Sequence, residues 1–138
     1  MNFHSLFIFA LVFLLLQAFL NSCKAVDCQS NQSKSARTIV VDQSGHGHFT
    51  SVQSAIDSIP EMNSQWIHIQ ISSGKYSEKV TIPVKKPCIF LEGAGSKSTS
   101  IEWGDHQLTS SSATFTSYPD NIVAKGITFK VKSSKLGI

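Results

Sequence analysis

Asp42, Asp57, Asp105 and Asp120, five histidines and several serines are the residues of this chain equipped for chemistry. Paired carboxylates working as acid and base must converge in one cleft, where each environment sets a different proton affinity. Here Asp42 closes a short apolar run and Asp57 falls on the polar side of a helical pattern. Asp105 and Asp120 lie in turn-rich segments, so nothing in their spacing brings two together. His46 and His48 flank Gly47, while His68 and His106 stand elsewhere. A zinc site needs three or four ligands at recognisable spacing, so this pair reads as two solvated imidazoles on a loop. Ser110-Ser111-Ser112 lacks the GxSxG setting that makes a serine nucleophilic. Gly45-x-Gly47 and Gly93-x-Gly95 do not continue as GxGxxG into a helix, and no P-loop lysine follows, so they read as turn glycines. Residue chemistry alone gives no active site, no metal site and no cofactor.

The elements that would position such residues are mostly strands. One helix is signalled from about Ser51 to Ile59. Val52, Ala55, Ile56 and Ile59 form a single apolar stripe at helical spacing. Thr50 and Gln53 have capping-box spacing, and Pro60 ends the pattern. Around it, short β-branched runs occur at TIVVD (38–42), WIHIQIS (66–72), KVTIP (79–83), CIFLEG (88–93), TSIEWG (99–104), ATFTS (113–117) and NIVAKGITFK (121–130). Turns at Ser73-Gly74, Pro87, Gly93-Ala94-Gly95 and Pro119-Asp120-Asn121 separate them. The absence of a second helical pattern argues against alternating βαβ units. No two-residue hairpin turn such as Asn-Gly links the strands. An all-β parallel β-helix remains favoured, with strand centres near Ile69, Phe90 and Thr128 stacking on one another. The helix would then cover the open first coil.

The first residues bear on destination. Residues 5–20 carry no charge and read as the apolar core of a signal peptide, with small residues at Cys23 and Ala25. Cleavage is expected after Ala25, and an uncleaved anchor is the alternative. Loss of residues 1–25 leaves eleven basic and nine acidic residues, a net +2. That is too mild, and too scattered, to argue for nucleic acid or a membrane surface. Residues 26–37 lack apolar periodicity and read as a flexible leader, in which Asn31-Gln32-Ser33 is a glycosylation sequon. An oxidising compartment permits a Cys28–Cys88 bridge. A floppy leader is nevertheless a poor partner for a core position, so Cys88 reads as a small buried hydrophobe.

Four strings in order, TIVVDQSGHGHFTSVQSAIDSIP (38–60), WIHIQISSGKYSEKVTIP (66–83), CIFLEGAGSKSTSIEW (88–103) and ATFTSYPDNIVAKGITFK (113–130), resemble the opening of plant pectinesterases. The resemblance covers about residues 38–130 and leaves 131–138 as a divergent tail. It implies a right-handed parallel β-helix and a secreted cell-wall protein, a monomer acting on methyl-esterified homogalacturonan without a cofactor. Family members hydrolyse the methyl esters through a nucleophilic Asp, an acid–base Asp, an oxyanion-holding Gln and an orienting Arg. The GTVDFIFG-like and LGRPW-like segments that carry that chemistry are not found here, so no catalytic residue carries over. Thr114, in ATF, matches a substrate-contacting Thr of the family. It is equally a β-branched residue suited to stacking in a coil. The resemblance therefore implies a pectinesterase-like chain inactive by itself. The competing class is a non-enzymatic wall protein that binds pectin or a partner.

Overall fold

Short β-branched runs punctuated by glycine and proline can only make brief strands. In the computed structural model of the chain these wind into coils rather than pairing as hairpins. The structure describes residues 2–20, 27–29, 35–104 and 113–132. Helix α1 (Phe3–Leu20) comes first, then β1 (Arg37–Val41) and α2 (Val52–Asp57). Next follow β2 (Ile67–Ile71), β3 (Gly74–Tyr76), β4 (Val80–Ile82), β5 (Ile89–Gly93) and β6 (Thr99–Trp103). The last are β7 (Phe115–Ser117), β8 (Ile122–Lys125) and β9 (Thr128–Val131). Every strand pairing is parallel, and the sheets run β1-β2-β5-β8, β3-β6-β9 and β4-β7. From β2 onward, each full coil gives one strand to each sheet. The chain is a right-handed parallel β-helix with a short capping helix, as the sequence led us to expect.

Alternation with period two turns one side of each strand inward. Ile39, Ile69 and Leu91 align across the first sheet and are fully buried, as are Val80, Ile82 and Ile101 on the other two. Phe90 and Thr128 do not join that stack. Phe90 is in register with His68 on the outer face, and Thr128 belongs to the second sheet, opposite Ser100. The reason is unequal coil length. Successive strands of the first sheet start 30, 22 and 33 residues apart, which hides the repeat from a sequence reading. The run 121–130 is likewise two strands. Gly126, at φ +67°, turns the corner between them, and a side chain at Gly93 would collide with the Gly126 carbonyl.

The starting end of the β-helix is closed by side chains. Each sheet has an edge strand there, and an edge offers unpaired backbone groups to any other strand. His48 Nδ1 accepts the Val40 amide of β1 at 2.9 Å. Gln43 Nε2 donates to the Lys75 carbonyl of β3 at 2.8 Å. Gln53 acts like a strand towards β4, accepting the Thr81 amide at 2.7 Å and donating to the Thr81 carbonyl at 3.1 Å. The expected capping box is therefore replaced. Ser51, not Thr50, is the N-cap of α2, with its hydroxyl accepting from Ser54 N. The Glu78 carboxylate accepts from Val52 N and Gln53 N, both at 2.9 Å, and from the Ser51 hydroxyl at 3.0 Å. At the other end, the buried Lys86 ammonium donates to the carbonyls of Ile56 and Asp57. The stripe Val52, Ala55, Ile56 and Ile59 is buried as expected.

The leader corrects the cysteine reading. Cys28 and Cys88 form a disulfide that closes a span of 60 residues, and Gln29 N donates to Ser64 O beside it. Cys88 is buried, but as a cross-link held at φ +64°, where few non-glycine residues sit. Sequence reasoning treated the leader as free, and lost the backbone anchor that brings Cys28 to the turn before β5. Most apolar side chains of α1, among them Phe3, Phe7 and Leu11, are exposed. No helix among the described residues is long and apolar enough to cross a membrane.

Candidate functional site

Thr114 is the one residue that the sequence marks for substrate. It lies immediately before β7, where the second sheet hands over to the third. Only 4% of it is exposed, and its hydroxyl donates to the Lys130 carbonyl at 2.7 Å. On β7 itself, Phe115 stacks at a tilt on Phe129 with ring centroids 4.7 Å apart, and Thr116 stands opposite Thr81. Asp105, His106 and Ser110-Ser111-Ser112 lie outside the described residues, as do Asn31 and the expected cleavage point.

Six of the described acids, Asp42, Asp57, Glu61, Glu78, Glu92 and Glu102, each have their own structural partners. Asp42 accepts from the Ser44 hydroxyl at 2.6 Å and the Ser44 amide at 2.8 Å. Those bonds hold its carboxyl below the usual range, with His46 adding to the effect. Asp57 accepts from Gln53 Nε2 at 2.9 Å, and Glu78 is committed to α2. On the outer face of the first sheet, Glu92 lies 2.9 Å from His68 Nε2 and 3.9 Å from Lys125 Nζ. The His68 ring stacks on Phe90, and its Nε2–Glu92 contact has ion-pair distance without hydrogen-bond alignment. On the second sheet, Glu102 is 5% exposed and sits between Lys75 at 3.7 Å and Lys130 at 3.4 Å. Desolvation pushes its carboxyl up, but the Lys130 hydrogen bond, both lysine charges and Ser100 outweigh it and leave it below the ordinary range.

The histidine pair is not simply solvated. His46 Nδ1 meets the Ser44 hydroxyl at 2.8 Å, and His48 caps a sheet edge. Among the described residues, no cluster of three or more His, Cys, Asp or Glu is placed to hold a metal ion. What the arrangement does chemically is local: it closes a sheet edge, caps a helix and balances charge. Sequence reasoning missed Glu78, whose helix lies more than twenty residues upstream. Only the fold brings that acid to the helix.

The comparisons agree with this architecture. The Pectinesterase family model matches residues 38–135. Putative pectinesterase 10 of Arabidopsis thaliana is 54% identical over 108 residues, covering 78% of this chain and 32% of that protein. Probable pectinesterase 55 of the same plant is 53% identical over 91 residues, covering 66% of this chain and 28% of that protein. The solved pectin methylesterase from carrot superposes with a TM-score of 0.63 at 30% identity, over 72% of this chain and 32% of its own. The chain thus spans about a third of the length of the relatives it matches. With its residues 38–135 matched and its coils superposed on a solved member, the chain belongs to the pectinesterase family.

Proposed function

We propose that residues 38–132 form the cap and amino-terminal coils of a plant cell-wall pectinesterase, an ester hydrolase acting on methyl-esterified homogalacturonan. In this reading the 138 residues by themselves do not hydrolyse the ester. Ester hydrolysis through a carboxylate nucleophile needs that nucleophile, a proton donor and an oxyanion hole together in one cleft. The observation that carries the reading is that Asp42, Asp57, Glu78, Glu92 and Glu102 are each held by separate structural partners, within coils that match the family.

Thr114 is proposed to face substrate. With its O–H donating to the Lys130 carbonyl, the hydroxyl oxygen keeps lone pairs to accept from a sugar hydroxyl. Export is proposed from the uncharged, solvent-exposed α1. The Cys28–Cys88 disulfide supports it, since such bonds persist in oxidising compartments. Cleavage after Ala25 and glycosylation at Asn31 belong to the same proposal.

Methanol release from highly methylated pectin tests the reading. The 138-residue chain is expected to stay at the blank rate, whereas an active pectinesterase releases methanol under the same conditions. Release above blank, lost on heating, would overturn it.

A further inference from the structure

Read along the sequence, the lysines are scattered; the coils gather them. Lys75 on β3 and Lys130 and Lys132 at the end of β9 share the outward parity of the second sheet. Lys97 stands on the turn between β5 and β6. That turn is tied to the neighbouring coils by the Gly74 amide on Ser98 O and the Thr128 hydroxyl on Ser96 O. Lys125 ends β8, one residue before the corner at Gly126. All five are exposed. Among the described residues only Glu92 and Glu102 accompany them, so the described part of this edge carries five positive charges against two negative. The other described residues from 35 to 132 hold four basic and five acidic groups. The slight positive excess of these described residues is thus polarised onto one edge.

The two glutamates organise this edge more than they cancel it. Glu102, nearly enclosed, holds the Lys75 and Lys130 side chains on either side of itself. Those lysines come from strands two apart in the sheet, about 9.5 Å, and are fixed in position by the coil stack. A row of cations carried at coil spacing on stacked strands suits a linear polymer bearing a carboxylate on each unit. The geometry points to a polyuronide-binding edge, built from Lys75, Lys97, Lys125, Lys130 and Lys132, that takes the free carboxylates of de-esterified galacturonan. This rests on the proposed pectin substrate and deepens it: the edge would hold the product polymer, not the ester.

The test measures binding of the full 138-residue chain to sodium polygalacturonate, to highly methylated pectin and to neutral dextran. Two charge-matched double variants are compared, Lys97→Gln with Lys132→Gln on the edge and Arg37→Gln with Lys85→Gln away from it. Neither pair touches Glu102, so its surroundings are kept. Screened ion pairs of this kind predict that the edge pair weakens polygalacturonate binding about two- to thirtyfold. The control pair should leave it unchanged, and added salt should release the polymer. Equal losses in both pairs, or none in either, would overturn the site, and so would equal binding to highly methylated pectin. Preference for phosphatidylserine vesicles over polygalacturonate would assign the edge to a membrane instead and overturn the polyuronide. Methanol release is unaffected by any of these outcomes, so the site and the proposed function fail separately.

Discussion

Removing the Glu78 carboxylate should loosen the closed end of the β-helix. Helix α2 has only six residues, and helices that short are not stable alone. Its first-turn amides have no partner within the helix, and Glu78 takes two of them together with the Ser51 hydroxyl. Glu78→Gln keeps one accepting oxygen but loses the charge and turns an NH₂ towards a donor. A lost N-terminal cap costs about 0.5–2 kcal/mol, and the interaction of a negative charge with the helix dipole about 0.3–1 kcal/mol more. Together these predict a loss of about 1–3 kcal/mol for Glu78→Gln. For a domain of this size that is a fall in melting temperature on the order of 4–20 °C. The assay is a thermal melt followed by far-ultraviolet circular dichroism, with Glu61→Gln as control. Among the described residues Glu61 pairs only with the exposed Lys85, so its removal should change stability by less than about 0.5 kcal/mol. Equal melting temperatures for Glu78→Gln, Glu61→Gln and the unaltered chain would refute the reasoning.

Cys88→Ser opens the 60-residue loop and, by chain entropy, should cost about 4 kcal/mol. Cys28→Ser should cost the same and the double variant no more, by urea unfolding; additive losses would contradict a shared cross-link. Gln53→Ala strips both partners from Thr81, so hydrogen exchange at the Thr81 amide should accelerate selectively while that of Leu91 stays slow. Glu102 sits below its ordinary value of 4.5, so its folded form holds the charge more readily than the unfolded chain. Its contribution is therefore present above about pH 4.5 and lost as pH falls through the lower folded value. Glu102→Gln should flatten that part of the acid limb in melts between pH 5 and 3, and an unchanged limb would count against the Lys75–Glu102–Lys130 row.

Local patterns survived into the fold; long-range partners did not announce themselves. The apolar stripe from Val52 to Ile59 and the β-branched runs were readable because each is set by neighbours three, four or two residues away. Strand β3 was not, since Gly74 at its start looks like a turn and only Tyr76 is buried. The stacking register was misread because coils of unequal length give no sequence period, so Phe90 and Thr128 looked equivalent to Ile69. Glu78 and the disulfide share another cause. Each joins residues at least 25 apart, and no composition rule selects one acid or one cysteine over such a span. Of the site, the likeness of four ordered strings to pectinesterases identified the family, while the lysine edge appeared only once the coils were stacked.

The central claim is that these residues are a working cap and first coils for a pectinesterase. Grafting residues 35–132 in place of the corresponding coils of an active pectinesterase tests it most directly, with methanol release from methyl-esterified pectin as the readout. A chimera that melts cooperatively and releases methanol at a rate comparable to its parent is the expected result. A chimera that folds and melts like its parent yet releases none above blank would contradict the account.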